Sequence, residues 1–321
     1  MAYSDRVMEK FAKRQEWRRQ FVDALWQDEA RRPLLDTSGW AILVKCSKGD
    51  IRDLFETRKE VLQGCPAMAQ KLLRHAIFKR DNVLVRWLVG RAKVKPTAKT
   101  LRALAHHMQH STCCDGALLK AMKKVATLLV QHAECDLGEL GEDECPTYAR
   151  LLRAAILFQK RTRPIEVRTC MLLSKDAIAR LIETGDDHTS TAYFLNENLQ
   201  ARFAPEEPEH AKRAQDLFKQ LLDSGKVDLN ALNEKKWTML ATSLRTIRDK
   251  RSNHAQTAVA CAQATLLLDA GAKCRLKGVP SARQADDVLR RISPEHPDPR
   301  VQSLMIYVYG LTPHIDTPAL Q

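Results

Sequence analysis

The chain has 321 residues, 44% of them apolar and 28% charged, with 52 basic side chains against 39 acidic ones and a net charge of +13. This is a globular composition with enough apolar material for a sizeable core, and it argues against disorder over most of the length. No run approaches the roughly 18 uninterrupted apolar residues of a membrane span, so no transmembrane segment is expected.

Residues 1–20 contain no apolar signal-peptide core, and Asp5, Glu9 and Glu16 are out of place in an acid-poor mitochondrial presequence. The expected location is intracellular, cytoplasmic by default; secretion into a host by a signal-free route, as an effector, would leave no mark on the sequence. The nine cysteines are odd in number and scattered, which fits reduced, buried small hydrophobes better than a disulfide framework. Only 12 glycines and 13 prolines punctuate a chain rich in Leu, Ala, Lys, Arg, Gln and Glu. These are the strong helix formers, and no long period-two run competes with them. The expected fold class is all-α.

In chain order, residues 3–32 read as one or two amphipathic helices, with Trp17, Phe21, Ala24 and Leu25 at three-and-four spacing. Pro33 and the run Asp36, Thr37, Ser38, Gly39 end them, which marks 1–38 as an N-terminal helical extension or cap. From there one pattern recurs: an apolar helix end, a turn, then a short extended tail. It occurs as WLVGRAKVK at 87–95, LLVQHAECDL at 128–137, LLDSGKVDLN at 221–230 and LLLDAGAKCRL at 266–276. Gly225 and Gly271 stand where a left-handed residue closes a helix. After the third tail, Thr238 is a good N-cap for a helix starting at Met239.

The stretch 217–278 resembles the ankyrin repeat family. Leu221 to Gly225 looks like the end of that family's second helix, Asp228-Leu229-Asn230-Ala231 like its tail, and Thr238-Met239-Leu240-Ala241 lies on its Thr-Pro-Leu-His signature. Residues 40–51, 68–95 and 117–138 look like degenerate versions. The resemblance implies a helical-hairpin solenoid over 39–290 with an irregular insert around 139–210, and a C-terminal cap at 291–321. It departs at Met239, where the family has proline, and at Ala241, where the family's histidine ties neighbouring loops together. Arg245 to Thr257 reads as an insertion between the two helices of the best repeat.

The charge is uneven: residues 71–102 carry ten basic side chains against Asp81 alone. Arg74, Lys79, Arg80, Arg86, Arg91, Lys93, Lys95 and Lys99 form the candidate partner-binding patch, suited to an acidic protein surface or to phosphates. The alternative is a solvated helical face. His106, His110 and Cys113 share a helical stripe and are a weak metal candidate; the competing reading is the outer side of a core-facing helix. Glu134, Asp136, Glu139, Glu142, Asp143 and Glu144 lack the ligand spacing of a calcium loop and read as a solvated connection. Trp87 and Trp237 are expected in the core. His188 beside Asp186 and Asp187 is the one cluster an enzyme could use in 139–210.

No phosphate loop, nucleophile elbow or zinc-helix motif is present, so no enzyme activity and no cofactor are expected. The resemblance implies a protein–protein interaction module or scaffold. An RNA-associated or acidic-partner-binding subunit, using 71–102, is the alternative.

Overall fold

The computed structural model describes residues 13, 16–18, 20–29, 52, 54–56, 59–109, 116–160, 167–202, 208–249, 252–293 and 296–311. The extension at 1–38, the first degenerate unit at 40–51 and the end of the C-terminal cap therefore lie largely or wholly outside them. The chain divides into two compact units, Met1–Thr147 with Leu172–Ala177, and Tyr148–Met171 with Ile178–Gln321.

The first unit holds α1 (Lys59–Gly64), α2 (Pro66–Phe78), α3 (Asn82–Arg86) running into a π-helical turn (Trp87–Arg91), α4 (Ala98–Gln109) and α5 (Gly116–Gln131). Pro66 opens α2, where its missing N–H costs nothing. Arg80, at φ +55°, closes the helix: its N–H bonds to Ile77 O at 2.9 Å and that of Asp81 to Ala76 O at 2.8 Å, the paired bonds of a Schellman ending. Asp81 then caps α3 by accepting from the Leu84 N–H at 3.1 Å. The lone acid of the basic stretch is thus committed to a helix start. Leu54, Phe55, Leu62, Met68, Leu72, Leu73, Leu88 and Leu101 are fully buried and form the core of this unit.

The second unit contains α6 (Thr147–Ala154, entering from the first unit), strands β1 (Ile156–Lys160) and β2 (Val167–Met171), and α7 (Lys175–Thr184, whose first residues belong to the first unit). α8 (Thr189–Arg202), α9 (Pro208–Asp223), α10 (Met239–Arg248), α11 (His254–Asp269), α12 (Ala285–Arg290) and α13 (Pro299–Leu311) follow. Phe218, Leu195, Leu199, Leu240, Leu244, Leu267, Val288 and Val301 are buried at its centre. The described chain is mostly helical, as its composition leads one to expect. The antiparallel pair β1–β2, in register from Ile156 opposite Met171 to Lys160 opposite Val167, is a departure from all-α. Each strand has five residues, too short for a period of two to stand out in the sequence.

Residues 245–257 also depart from expectation. Instead of an insertion, α10 continues to Arg248 and α11 restarts at His254. The restart comes from a capping box: Asn253 accepts from the Gln256 N–H while Gln256 accepts from that of Asn253. Thr238 caps α10 as expected, accepting from the Ala241 N–H at 3.1 Å.

Gly225 and Gly271 take positive φ, +68° and +95°. At the end of α11 the Gly271 N–H bonds to Leu268 O and that of Ala272 to Leu267 O, both at 2.9 Å, a second Schellman ending. A Cβ on Gly271 would meet nothing, so the penalty of a side chain there is conformational alone. Gly271→Val is expected to destabilise the second unit by about 1 kcal/mol or more, read as a lower urea midpoint; an unchanged midpoint would contradict the left-handed ending.

Among the described residues no helix is long and apolar enough to cross a membrane. Cys65, Cys145, Cys261 and Cys274 are buried thiols. Burial pushes the Cys261 thiol up to about 12 and that of Cys274 up to about 11, so both stay protonated and inert at neutral pH.

Candidate functional site

The tail that leaves the π-helical turn is built from alternating residues. Ala92, Val94, Pro96, Ala98 and Thr100 are buried, while Arg91, Lys93, Lys95, Thr97 and Lys99 are exposed. The apolar half of the alternation anchors the backbone, and the other half puts four cations on the solvent side. Lys93 sits at φ +57°, turning the chain out of the helix, and the Val94 N–H returns to Leu88 O at 2.9 Å.

The tail is then held by a side chain from α2, the helix before α3. Gln70 of α2 donates to Lys95 O at 2.6 Å, and its Oε1 accepts from the Thr100 hydroxyl at 2.7 Å and the Thr97 hydroxyl at 3.2 Å. The same device recurs twice. Arg102 of α4 donates to Glu139 O and to the Thr147 hydroxyl, the two arms of the loop that precedes α6. The Tyr193 hydroxyl of α8 lies 2.6 Å from Ala231 O and 2.8 Å from Trp237 O, the two arms of the loop that precedes α10. Burial, then the charges of Glu197 and Asp228, hold the Tyr193 phenol well above its usual pKa, so it remains a donor.

Those two loops share one turn. At 233–237 the Asn233 N–H bonds to Trp237 O, the Lys236 N–H to Asn233 O, and Lys236 has φ +61°. At 141–145 the Gly141 N–H bonds to Cys145 O, the Glu144 N–H to Gly141 O, and Glu144 has φ +57°. The sequence gives no sign of this identity. Neither left-handed position is glycine, and the staples join residues 25 to 45 positions apart.

Seven of the eight predicted basic residues fall into two groups. Lys79 and Arg80 belong to the turn between α2 and α3: Lys79 lies over the exposed Phe78 ring and Arg80 donates to His107 Nε2 at 3.3 Å. Burial, then Arg80 and His106, lower the His107 pKa and favour the neutral ring that accepts this bond. Arg74, half-buried, lies on α2. Arg86, Arg91, Lys93, Lys95 and Lys99 lie on α3, the π-helical turn, the tail and the start of α4. Arg91 pairs with Glu56 at 3.2 Å and Lys95 with Glu134, so acids absent from 71–102 neutralise part of the face. Arg102 pairs with Glu139 at 2.9 Å. The acidic loop thus contributes Glu134 and Glu139 as internal partners of the basic stretch. Lys93 and Lys99 remain exposed, without an acidic partner among the described residues.

Arg86 and Arg91 also line a groove of about 420 Å³ with Arg52, Glu56, Val83 and Trp87. Trp87 is core, only 5% exposed, and its indole N–H donates to Glu56. That bond above all, then Lys59 and Arg91, holds the Glu56 carboxyl below the usual range. Arg52 was not among the predicted residues; its sequence signal is its place one helical turn before Glu56.

A second groove, of about 430 Å³, lies in the other unit against Trp237, with Glu197, Gln200, Lys235, Arg245 and Asp249 in its wall. Arg245 sits 5.5 Å over the half-buried Trp237 ring. His188 is fully buried: its Nε2–H donates to Ile182 O at 2.9 Å and Tyr148 packs edge-on at 5.3 Å, while Asp186 and Asp187 are exposed. His188 is a packing residue of the second unit. His106 is exposed, and His110 and Cys113 lie outside the described residues. Among the described residues no group of three or more His, Cys, Asp or Glu is arranged to hold a metal ion. No protein-family model, curated protein or solved structure matches the chain.

Proposed function

We propose that the protein is a non-enzymatic interaction module, built of divergent ankyrin-like helix pairs, whose basic tail receives an acidic segment of another protein. The observation that carries this reading is the alternation over 91–100. It fixes the backbone through buried residues while Arg91, Lys93, Lys95 and Lys99 face solvent. A surface held in this way loses little freedom on binding, and that loss is a major cost of association. The ankyrin-like reading is supported by the left-handed helix endings, the shared turn at 141–145 and 233–237, and the staples from preceding helices. The staples do the work that the family assigns to the histidine replaced here by Ala241.

An RNA partner would call for exposed ring faces along the same basic path. Trp87 is buried with its N–H committed, and the exposed Phe78 ring stands at the end of α2 against Lys79 and His107 rather than on the 91–100 tail, which favours an acidic protein. Lys93→Glu with Lys99→Glu reverses two exposed cations of the tail that have no acidic partner among the described residues. The double variant should unfold within about 0.5 kcal/mol of the wild type, as surface changes do. Its binding to immobilised poly-L-glutamate at low salt should weaken about tenfold, mainly through slower association. Equal binding by variant and wild type would sink this reading.

A further inference from the structure

We propose that the groove formed by Arg52, Arg86 and Arg91 over Val83 and Trp87 is a pocket for a phosphorylated side chain of a partner peptide, with phosphotyrosine the ligand that fits it. The inference rests on the reading of the chain as an interaction module, but it assigns an adjoining groove that shares only Arg91 with the tail, and a narrower chemistry.

Three arginines line one groove of about 420 Å³. The one carboxylate among them, Glu56, already accepts the Trp87 indole N–H and the Arg91 Nη1 at 3.2 Å. The balance leaves two positive charges. A phosphate monoester carries about −1.5 to −2 at neutral pH and matches that balance, whereas a single carboxylate neutralises only half of it.

The donors are also partly oriented before any ligand arrives. Arg91 is held through Nη1, and Arg86 donates Nε to Asn82 O at 3.4 Å. The Nε–Nη2 edge of Arg91 and both terminal nitrogens of Arg86 have no partner among the described residues. A paired guanidinium edge is the geometry that receives two phosphate oxygens at once. Val83 is 54% exposed, and it lines the same groove together with the buried Trp87. An isolated exposed valine needs no explanation, but one flanked by three arginines offers an aryl ring an apolar seat beside its phosphate. Arginine clusters are a general means of reading phosphorylated peptides.

The Trp87 indole N–H is a built-in reporter, assigned by its loss in Trp87→Phe. Its NMR resonance should shift saturably on titration with N-acetyl-O-phosphotyrosine amide. The apparent Kd should be at least about tenfold below that for inorganic phosphate, and the unphosphorylated amide should give no saturable shift. Arg52→Gln and Arg86→Gln should each weaken the effect about tenfold, while Lys93→Glu with Lys99→Glu should leave it within about threefold. The proposal is overturned by the absence of a saturable shift, by equal affinity for inorganic phosphate, or by indifference to the arginine substitutions. Tighter saturation by a uridine octamer, lost in the same variants, would assign the groove to nucleic acid and equally overturn it. Failure here with the poly-glutamate result intact removes the pocket alone; the reverse removes the acidic-segment reading alone.

Discussion

Gly185→Ala is expected to destabilise the second unit by about 3 kcal/mol, the upper end of the cost of overpacking. A Cβ at this position would lie 2.4 Å from His188 Cε1 and 2.5 Å from Tyr148 Cε2. Neither ring is free to step aside. His188 is fully buried, bonded to Ile182 O through its ring and to Lys226 O through its backbone N–H. Tyr148 is 5% exposed and donates to Asp187 O at 2.8 Å. The thermal midpoint should fall by about 6–12 °C for a unit of this size. Gly90→Ala is the control, since a Cβ there meets nothing within 4 Å. A midpoint for Gly185→Ala equal to that of the control would mean that the His188–Tyr148 contact gives way cheaply.

Gln200→Ala should cost about 2–3 kcal/mol through a different mechanism, the stranding of buried polar groups. Gln200 is 3% exposed and links α8 to α10: its Nε2 donates to Asn196 Oδ1 at 3.0 Å and to Ser243 Oγ at 2.8 Å, and its Oε1 accepts from Thr246 at 2.7 Å. Asn196 and Ser243 are both fully buried and depend on each other and on Met239 O. Removing one member leaves the others in a medium of low polarity without a full set of partners. Ser243→Ala made in the same background should therefore cost less than it does in the wild type. Additive losses would show that the bonds act independently.

What the sequence disclosed and what it hid follow from the range of the interactions concerned. Helix ends are local. A glycine after a leucine run and a threonine before one specify their backbone within four or five residues, and Gly225, Gly271 and Thr238 were readable for that reason. The capping box at Asn253 and Gln256 is equally local and was open to the same reading, yet the polar run around it looked like an insertion. The β1–β2 pair depends on partners across a connection, and five residues per strand carry too little pattern to declare it.

At the site, the density of cations between 71 and 102 was plain in the sequence, but their division was not. Glu56 and Glu134 are supplied from outside the stretch to Arg91 and Lys95, and that distinction separates neutralised cations from Lys93 and Lys99. The staples from Gln70, Arg102 and Tyr193 were hidden for the same reason. Each uses a different residue type, so only the three-dimensional arrangement reveals that they do one job.

The most direct test of the central claim is capture of partners from lysate on the immobilised protein, with and without nuclease, comparing the wild type with Lys93→Glu plus Lys99→Glu. The expected result is capture of a protein with an acidic segment; that capture persists after nuclease, is reversed by moderate salt, and is lost with the double variant, which keeps its thermal midpoint. Capture that vanishes with nuclease, or that is the same on both proteins, would contradict it.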